Sequence, residues 1–309
     1  LTGDAKELPT RRGHLLTEQS NPASLELDRG DVSAGFDIIN RQDGRIAEAV
    51  ARAKPEICRA IELIAERLRG GGRLIYVGAG TSGRLGVVDA AECPPTFMTD
   101  PEMVRAIIAG GPQAMFRSIE RAEDNAEAGR DDLEALHPGA KDVVFGISTG
   151  GTARYVREAL ACGRQHGAAT VFLACVSSEQ VSDEADVSIR VITGPEVLAG
   201  STRLKAGTAT KMVLNMVTTL TMVQLGKVHQ NLMVDLNTRA CAKLTDRATR
   251  TIATLTGLSY EESGQLLERA HGRVKTAVVM HHFACHAAEA DARLSRNHDH
   301  LRKTLTESK

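Results

Sequence analysis

Five short, almost unbroken apolar runs alternate with helical periodicity, and this constrains the chain more than any other feature. The runs are Arg73–Val77, Met103–Ala109, Asp142–Ile147, Ala169–Val176 and Val187–Ile192. A strand without polar alternation is buried on both faces, and such strands separated by helices form a parallel sheet covered on both sides. Helical spacing of apolar residues marks 45–69, closed by Gly70-Gly71-Gly72, and further helices over 84–91, 113–128, 152–166 and 204–225. After Lys243 the strand-like runs stop. Residues 246–255, 260–270 and 273–294 read as three helices separated at Gly257 and Gly272. The expected fold class is α/β: a parallel five-stranded sheet flanked by helices, with a small C-terminal all-helical domain. The expected division is an irregular extension over 1–45, the sheet domain over 46–243 and the helical domain over 244–309.

Composition narrows the function. The chain has 309 residues, enough to bury a substantial core, and 38 Lys and Arg against 39 Asp and Glu. Near neutrality gives no general attraction to nucleic acid or to an anionic membrane. Aromatic residues make up 3% and Trp is absent, which argues against a stacking platform for single strands. The six cysteines form no C-x-x-C pair, and read as reduced thiols of a cytoplasmic protein. Leu1–Arg12 carries no apolar run of the kind a signal peptide needs. The segment Met212–Leu225 is too short and too polar to span a bilayer.

In an open parallel sheet, ligands sit at the carboxyl ends of the strands. Three such ends combine Gly with Ser or Thr: Gly78-Ala-Gly80-Thr81-Ser82-Gly83-Arg84, Ser148-Thr149-Gly-Gly-Thr152, and Gly200-Ser201-Thr202-Arg203-Leu-Lys205. Gly lets backbone N–H groups approach an anion, hydroxyls donate to it, and the next helix points its positive end there. Three such turns in one sheet favour a phosphorylated small molecule. The first also matches G-x-G-x-x-G, but the acidic residue that a dinucleotide requires would be Asp100, which precedes its strand instead of ending it. No G-K-[ST] is present, so a nucleotide P-loop is excluded.

Two carboxylates stand out. Glu92 lies at the end of the first helix after the sheet begins, beside Pro94-Pro95, which are expected to stop that helix and fix the turn. A carboxylate so close to a phosphate turn is placed as a general acid or base. Glu123 falls late in the helix expected over 113–128, where spacing alone suits a solvated face. Lys205 and Lys211 flank the third turn; Lys205 is a candidate for a phosphate or carboxylate, and Lys211 reads as structural or exposed. Six of the ten histidines lie between 271 and 300. His282 and His286 are four apart on one expected helix, with His281 and Cys285 nearby, but no third ligand at useful spacing appears, so no metal site is expected.

The runs Gly71–Gly86, Asp89-Ala-Ala-Glu-Cys-Pro-Pro-Thr-Phe97, Gly194–Val197, Gly200–Ala209 and Asn231-Leu-Met-Val-Asp235, with Ser20-Asn-Pro-Ala-Ser24, closely resemble the N-acetylmuramic acid 6-phosphate etherase family. The similarity runs from about residue 17 to the C-terminus. It implies a sugar isomerase (SIS) domain, a helical C-terminal domain, a homodimer and no cofactor. The implied activity is cleavage of the C3 D-lactyl ether of N-acetylmuramic acid 6-phosphate, giving N-acetylglucosamine 6-phosphate and D-lactate in cell-wall sugar recycling. The resemblance makes Glu92 an acid at the ether oxygen and Glu123 the second catalytic carboxylate. The chemistry is consistent with two carboxylates, because an ether oxygen leaves only if protonated while a base takes the C2 proton. Glu123 is the expected C2 base, and Glu92 the acid that later activates water. Expected substrate contacts are Gly80, Thr81, Ser82, Arg84, Ser148, Thr149, Thr152, Glu196, Ser201, Thr202 and Lys205.

The second turn departs from the family pattern, with Gly150, Thr152 and Arg154 where Ser, Arg and Pro are usual. There it is similar to the glucokinase regulatory protein, which implies an alternative reading as a sugar-phosphate sensor without catalysis. An aldose–ketose isomerase on the same fold would also need a base near C2, but does not account for the Glu92 motif.

Overall fold

Each of the five apolar runs forms a strand in the structure, a computed structural model that describes residues 12–238 and 241–307. The residues before Arg12, on which the absence of a signal peptide was read, lie outside the described residues. The strands are β1 (Leu74–Gly78), β2 (Val104–Ile108), β3 (Val143–Ile147), β4 (Ala169–Ala174) and β5 (Val187–Arg190). They pair in parallel in the order β2-β1-β3-β4-β5, with Leu74 opposite both Val104 and Val143. Every residue of β1, β3 and β4 is buried, as their unbroken apolar character requires. The chain leaves β1 toward one edge and β3 toward the other. The turns after these two central strands therefore flank the topological switch point, where a parallel sheet opens a crevice.

The helices begin with α1 (Val32–Asp43), α2 (Ile46–Arg52) and α3 (Lys54–Arg69). The extension read as irregular thus contains α1, started by the Asp31 side chain accepting from the Ala34 N–H at 2.8 Å. The single helix expected over 45–69 is two, parted at Ala53 before Pro55, which stands in the first turn of α3. Helix α4 (Gly80–Phe97) starts four residues earlier than expected and runs through Pro94 and Pro95. Those prolines do not stop it: proline fits helical φ, and the helix ends where Met98 turns left-handed at φ 52°. The helix expected over 113–128 does not form. Gly110 and Gly111 take φ of 87° and 70°, Arg121 takes 62°, and only short 3₁₀ turns, Pro112–Met115 and Ala122–Asp124, lie between. Helix α5 (Ala126–Glu134) starts where the Asn125 side chain caps Ala128. Helices α6 (Arg154–Gln165) and α7 (Lys205–Gln224) match expectation within a few residues. Helix α6 packs Tyr155, Val156 and Leu160 into a core with Val77, Val144 and Phe172.

Contacts divide the chain into two compact units, Leu1–Ala90 with Glu102–Thr218, and Ala91–Pro101 with Thr219–Lys309. This grouping follows packing, whereas the division expected at Lys243 followed the change in secondary structure. The second unit holds an antiparallel pair, β6 (Val228–His229) and β7 (Leu232–Met233). It also holds α8 (Ala242–Thr256), α9 (Tyr260–Arg269), α10 (Val274–Phe283), α11 (Ala287–Arg296) and α12 (Leu301–Leu305), around a core with Ile252, Leu266, Val278 and Leu294. The long last helix expected over 273–294 is broken at Ala284, whose φ is 52°. His282 therefore ends α10 while His286 precedes α11, and the two are not on one helix. Among the described residues no helix is long and apolar enough to cross a membrane.

Candidate active site

The first unit opens at the carboxyl ends of β1 and β3. Gly80, Thr81 and Ser82 form the first turn of α4, whose N–H groups have no partner within the helix and carry its positive end. Close approach of strand and helix fixes this turn: a Cβ on Gly83 would lie 2.7 Å from the Gly78 carbonyl oxygen and 2.6 Å from Ile108 Cγ1. After β3, the Gly151 N–H donates to the Ser148 carbonyl at 2.8 Å, and the Ala153 N–H donates to Ser148 Oγ at 3.2 Å. Gly151 accommodates φ 77° there.

The N-terminal segment crosses this end of the sheet. The Gly200 N–H donates to the Thr17 carbonyl at 3.1 Å, and Gln180 Nε2 donates to the His14 carbonyl at 2.9 Å. Asn21 anchors the segment. It is buried, and its Nδ2 donates to Gln42 Oε1 at 3.1 Å and to the Pro195 carbonyl at 3.0 Å. This gives the Ser20–Ser24 motif a structural reason.

These elements enclose a cavity of about 240 Å³. Of the residues singled out from the sequence, it brings together Gly80, Thr81, Ser82, Glu123, Ser148, Thr149, Thr152 and Thr202. Ser82, Ser148 and Thr152 are buried. A wall of hydroxyls beside a helix N-terminus suits a phosphate. Arg12 and Glu18 also line the cavity, and sequence reasoning missed both. They lie in the extension read as irregular, and nothing in their spacing marks them.

Glu123 sits on the 3₁₀ turn, not on a helix, and is exposed. Arg12 bridges two carboxylates there: Nη1 lies 3.3 Å from Glu123 Oε1, and Nη2 lies 3.1 Å from Asp124 Oδ1. Arg84 is turned to the same loop and donates to the carbonyls of Met115 at 3.2 Å and Arg117 at 3.0 Å. Arg84 thus holds the backbone that carries Glu123.

The third turn is engaged differently. Glu196 is wholly buried, and its two carboxylate oxygens accept from the Lys205 and Ala206 N–H groups at 2.9 Å each. Burial raises the affinity of Glu196 for a proton, and those two N–H groups oppose the shift. Lys205 Nζ donates to Gln42 Oε1 at 3.1 Å and to the Thr193 carbonyl at 2.9 Å, and burial lowers its pKa against the pull of Glu196. Glu196, Ser201 and Lys205 are absent from the lining of the cavity. Lys211 is structural: its Nζ pairs with the buried Asp89 at 3.1 Å, to which Tyr76 also donates.

Glu92 belongs to the second unit and is exposed near the end of α4. Among the described residues, Glu134, Cys162 and His166 come within reach of a common metal ion. Burial raises the Cys162 pKa, keeping it a thiol, and Arg130 already pairs with Glu134 at 3.4 Å.

The hydroxyl-lined cavity lies at the switch point of a five-stranded parallel sheet, and two models of SIS domains match this part of the chain. The SIS domain model matches residues 113–220, and that of the glucokinase regulatory protein N-terminal SIS domain matches residues 56–163. An N-acetylmuramic acid 6-phosphate etherase of Nostoc punctiforme is 53% identical over 294 residues, covering 95% of each chain. That of Gloeobacter violaceus is 57% identical over 270 residues, 87% of this chain and 88% of its own. The chain belongs to the N-acetylmuramic acid 6-phosphate etherase family. Among solved structures, a phosphoheptose isomerase from Neisseria gonorrhoeae is similar with a TM-score of 0.43 and 19% identity, over 61% of this chain and 96% of its own.

Proposed function

We propose that the protein is an N-acetylmuramic acid 6-phosphate etherase, a lyase that splits the C3 D-lactyl ether to give N-acetylglucosamine 6-phosphate and D-lactate. The observation that carries the reading is the placement of Glu123 on the rim of the hydroxyl-lined cavity, in a chain more than half identical to etherases over most of its length. The 6-phosphate is held by the first turn of α4 and the hydroxyls of Ser148, Thr149 and Thr152. Opening of the sugar ring gives a C1 aldehyde that acidifies the C2 proton. Glu123 takes that proton, the C3–O bond breaks, and Glu92 protonates the departing lactate oxygen. Water activated by Glu92 then adds its oxygen to C3 of the resulting double bond, and C2 regains a proton. The anchored phosphate, remote from C3, supplies orientation.

The protein works in the cytoplasm as a homodimer in this reading. Val32, Phe36 and Ile39 support the dimer: they recur at helical spacing on α1 and are 91%, 64% and 40% exposed, an apolar stripe of the kind that subunits cover. The match to the glucokinase regulatory protein domain favours a second reading, a sugar-phosphate sensor.

One assay separates the two. The wild type releases D-lactate from N-acetylmuramic acid 6-phosphate, and Glu92→Gln lowers the rate by about 10²–10⁴-fold, the usual contribution of a general acid or base. A folded wild type that binds the sugar phosphate and releases no lactate would establish the sensor.

A further inference from the structure

A second cavity, also about 240 Å³, adjoins the first and shares Ala79, Gly80 and Glu123 with it. The first cavity is lined by hydroxyls together with Arg12, Glu18 and Glu123, and the second by Arg84, Arg117 and Arg121 together with Glu120, Glu123 and Asp124, next to Ala114 and Ile119. Of those carboxylates, Glu123 and Asp124 are engaged by Arg12. Arg84 is committed to backbone carbonyls. Arg117 and Arg121 are exposed, and neither guanidinium has a hydrogen-bond or ion-pair partner among the described residues. Arg121 also holds a left-handed φ of 62°, a conformation that a residue with a side chain rarely adopts. That turn brings Arg121 into the same wall as Glu123, two residues on.

We propose that this second cavity is the subsite for the D-lactyl group, with Arg117 and Arg121 receiving its carboxylate and Ala114 and Ile119 facing its methyl. The inference rests on the etherase reading and extends it. The substrate has two anionic ends, a phosphate on C6 and a carboxylate three bonds out from C3, and its reacting carbons lie between them. The protein has two adjoining cavities with Glu123 on the wall they share. With the phosphate in the first and the carboxylate on Arg117 and Arg121 in the second, C2 and C3 fall at that wall. Planar guanidinium groups suit a carboxylate, and a charge-assisted pair is stronger than a neutral hydrogen bond. The subsite also separates substrate from product, because N-acetylglucosamine 6-phosphate keeps the phosphate and lacks the carboxylate.

The test compares the wild type with the double variant Arg117→Gln, Arg121→Gln. Two constants are read: KM for N-acetylmuramic acid 6-phosphate, and the inhibition constant of N-acetylglucosamine 6-phosphate. A third measurement uses the lactamide analogue of the substrate, in which the carboxylate is a neutral amide. The double variant is expected to raise KM at least tenfold while the inhibition constant stays within about twofold. The wild type is expected to prefer the carboxylate over the amide by a similar factor, and the variant to lose that preference. Substrate and product constants that weaken together would mark general damage to the site and overturn the assignment. So would an unchanged KM, or a wild type that turns over acid and amide equally well. Each of those results needs a wild type that releases lactate; a wild type that releases none would instead sink the etherase reading.

Discussion

The same five strands end in two contrasting surfaces. At the amino ends, polar groups are consumed by one another. Asp142 accepts from the Arg73 and Gly139 N–H groups at 2.8 and 3.1 Å, and its carboxylate pairs with the Arg73 guanidinium at 2.7 Å. Asp186 likewise accepts from both the N–H and the hydroxyl of Thr170. At the carboxyl ends of β1 and β3, hydroxyls and helix N–H groups face a cavity instead. The difference teaches that the polar groups at the amino ends are spent on holding the strands together, while the hydroxyls and helix N–H groups at the other end are left facing open space. The third turn is the intermediate case. It has the Gly, Ser and Thr of the other two, yet Glu196 satisfies the first N–H groups of α7 from within.

Changes at the two ends should therefore separate activity from stability. The largest effect is expected at the open end: Glu123→Gln lowers lactate release by about 10²–10⁴-fold with little change in the urea unfolding midpoint. An unfolding shift as large as the activity loss would break the distinction. At the closed end, Asp142→Ala leaves the Arg73 and Gly139 N–H groups without their acceptor and removes the carboxylate partner of the Arg73 guanidinium. Unfolding free energy is expected to fall by about 3 kcal/mol, with kcat of the folded enzyme preserved.

The pH dependence of that closed end follows from its sign. Burial alone would raise the Asp142 pKa, but the hydrogen bonds from Arg73 and Gly139 outweigh it and hold the carboxyl below its ordinary value. The stability it supplies is complete above the unfolded-state pKa, and is lost as pH falls through the lower folded value. Asp142→Asn should flatten that acid limb in urea titrations at a series of pH values. The smallest effect belongs to the intermediate turn: Glu196→Ala costs about 2 kcal/mol of stability and leaves KM for the sugar phosphate unchanged. A raised KM would instead make the α7 turn part of the binding site.

The sheet was legible because nothing competes with an unbroken apolar run such as Val143–Ile147 for the centre of a parallel sheet. The loop that carries Glu123 was not. Residues 113–128 have helical composition, but the left-handed backbone at Gly110, Gly111 and Arg121 overrides it, and only the glycines announce such a conformation in sequence. The helix break at Ala284 was hidden for the same reason, since alanine is ordinarily the best helix former. Within the site, the turns after β1 and β3 could be read from their Gly and hydroxyl content. Arg12 could not, because its place depends on Asn21 and Thr17 pinning the N-terminal segment across the sheet.

The most direct test of the account is the fate of the C2 hydrogen when the wild type acts on N-acetylmuramic acid 6-phosphate in D₂O. Proton abstraction at C2 predicts N-acetylglucosamine 6-phosphate with one deuterium at C2, seen by NMR in step with D-lactate release. Lactate released with the original hydrogen still at C2 would contradict elimination, and with it the role given to Glu123.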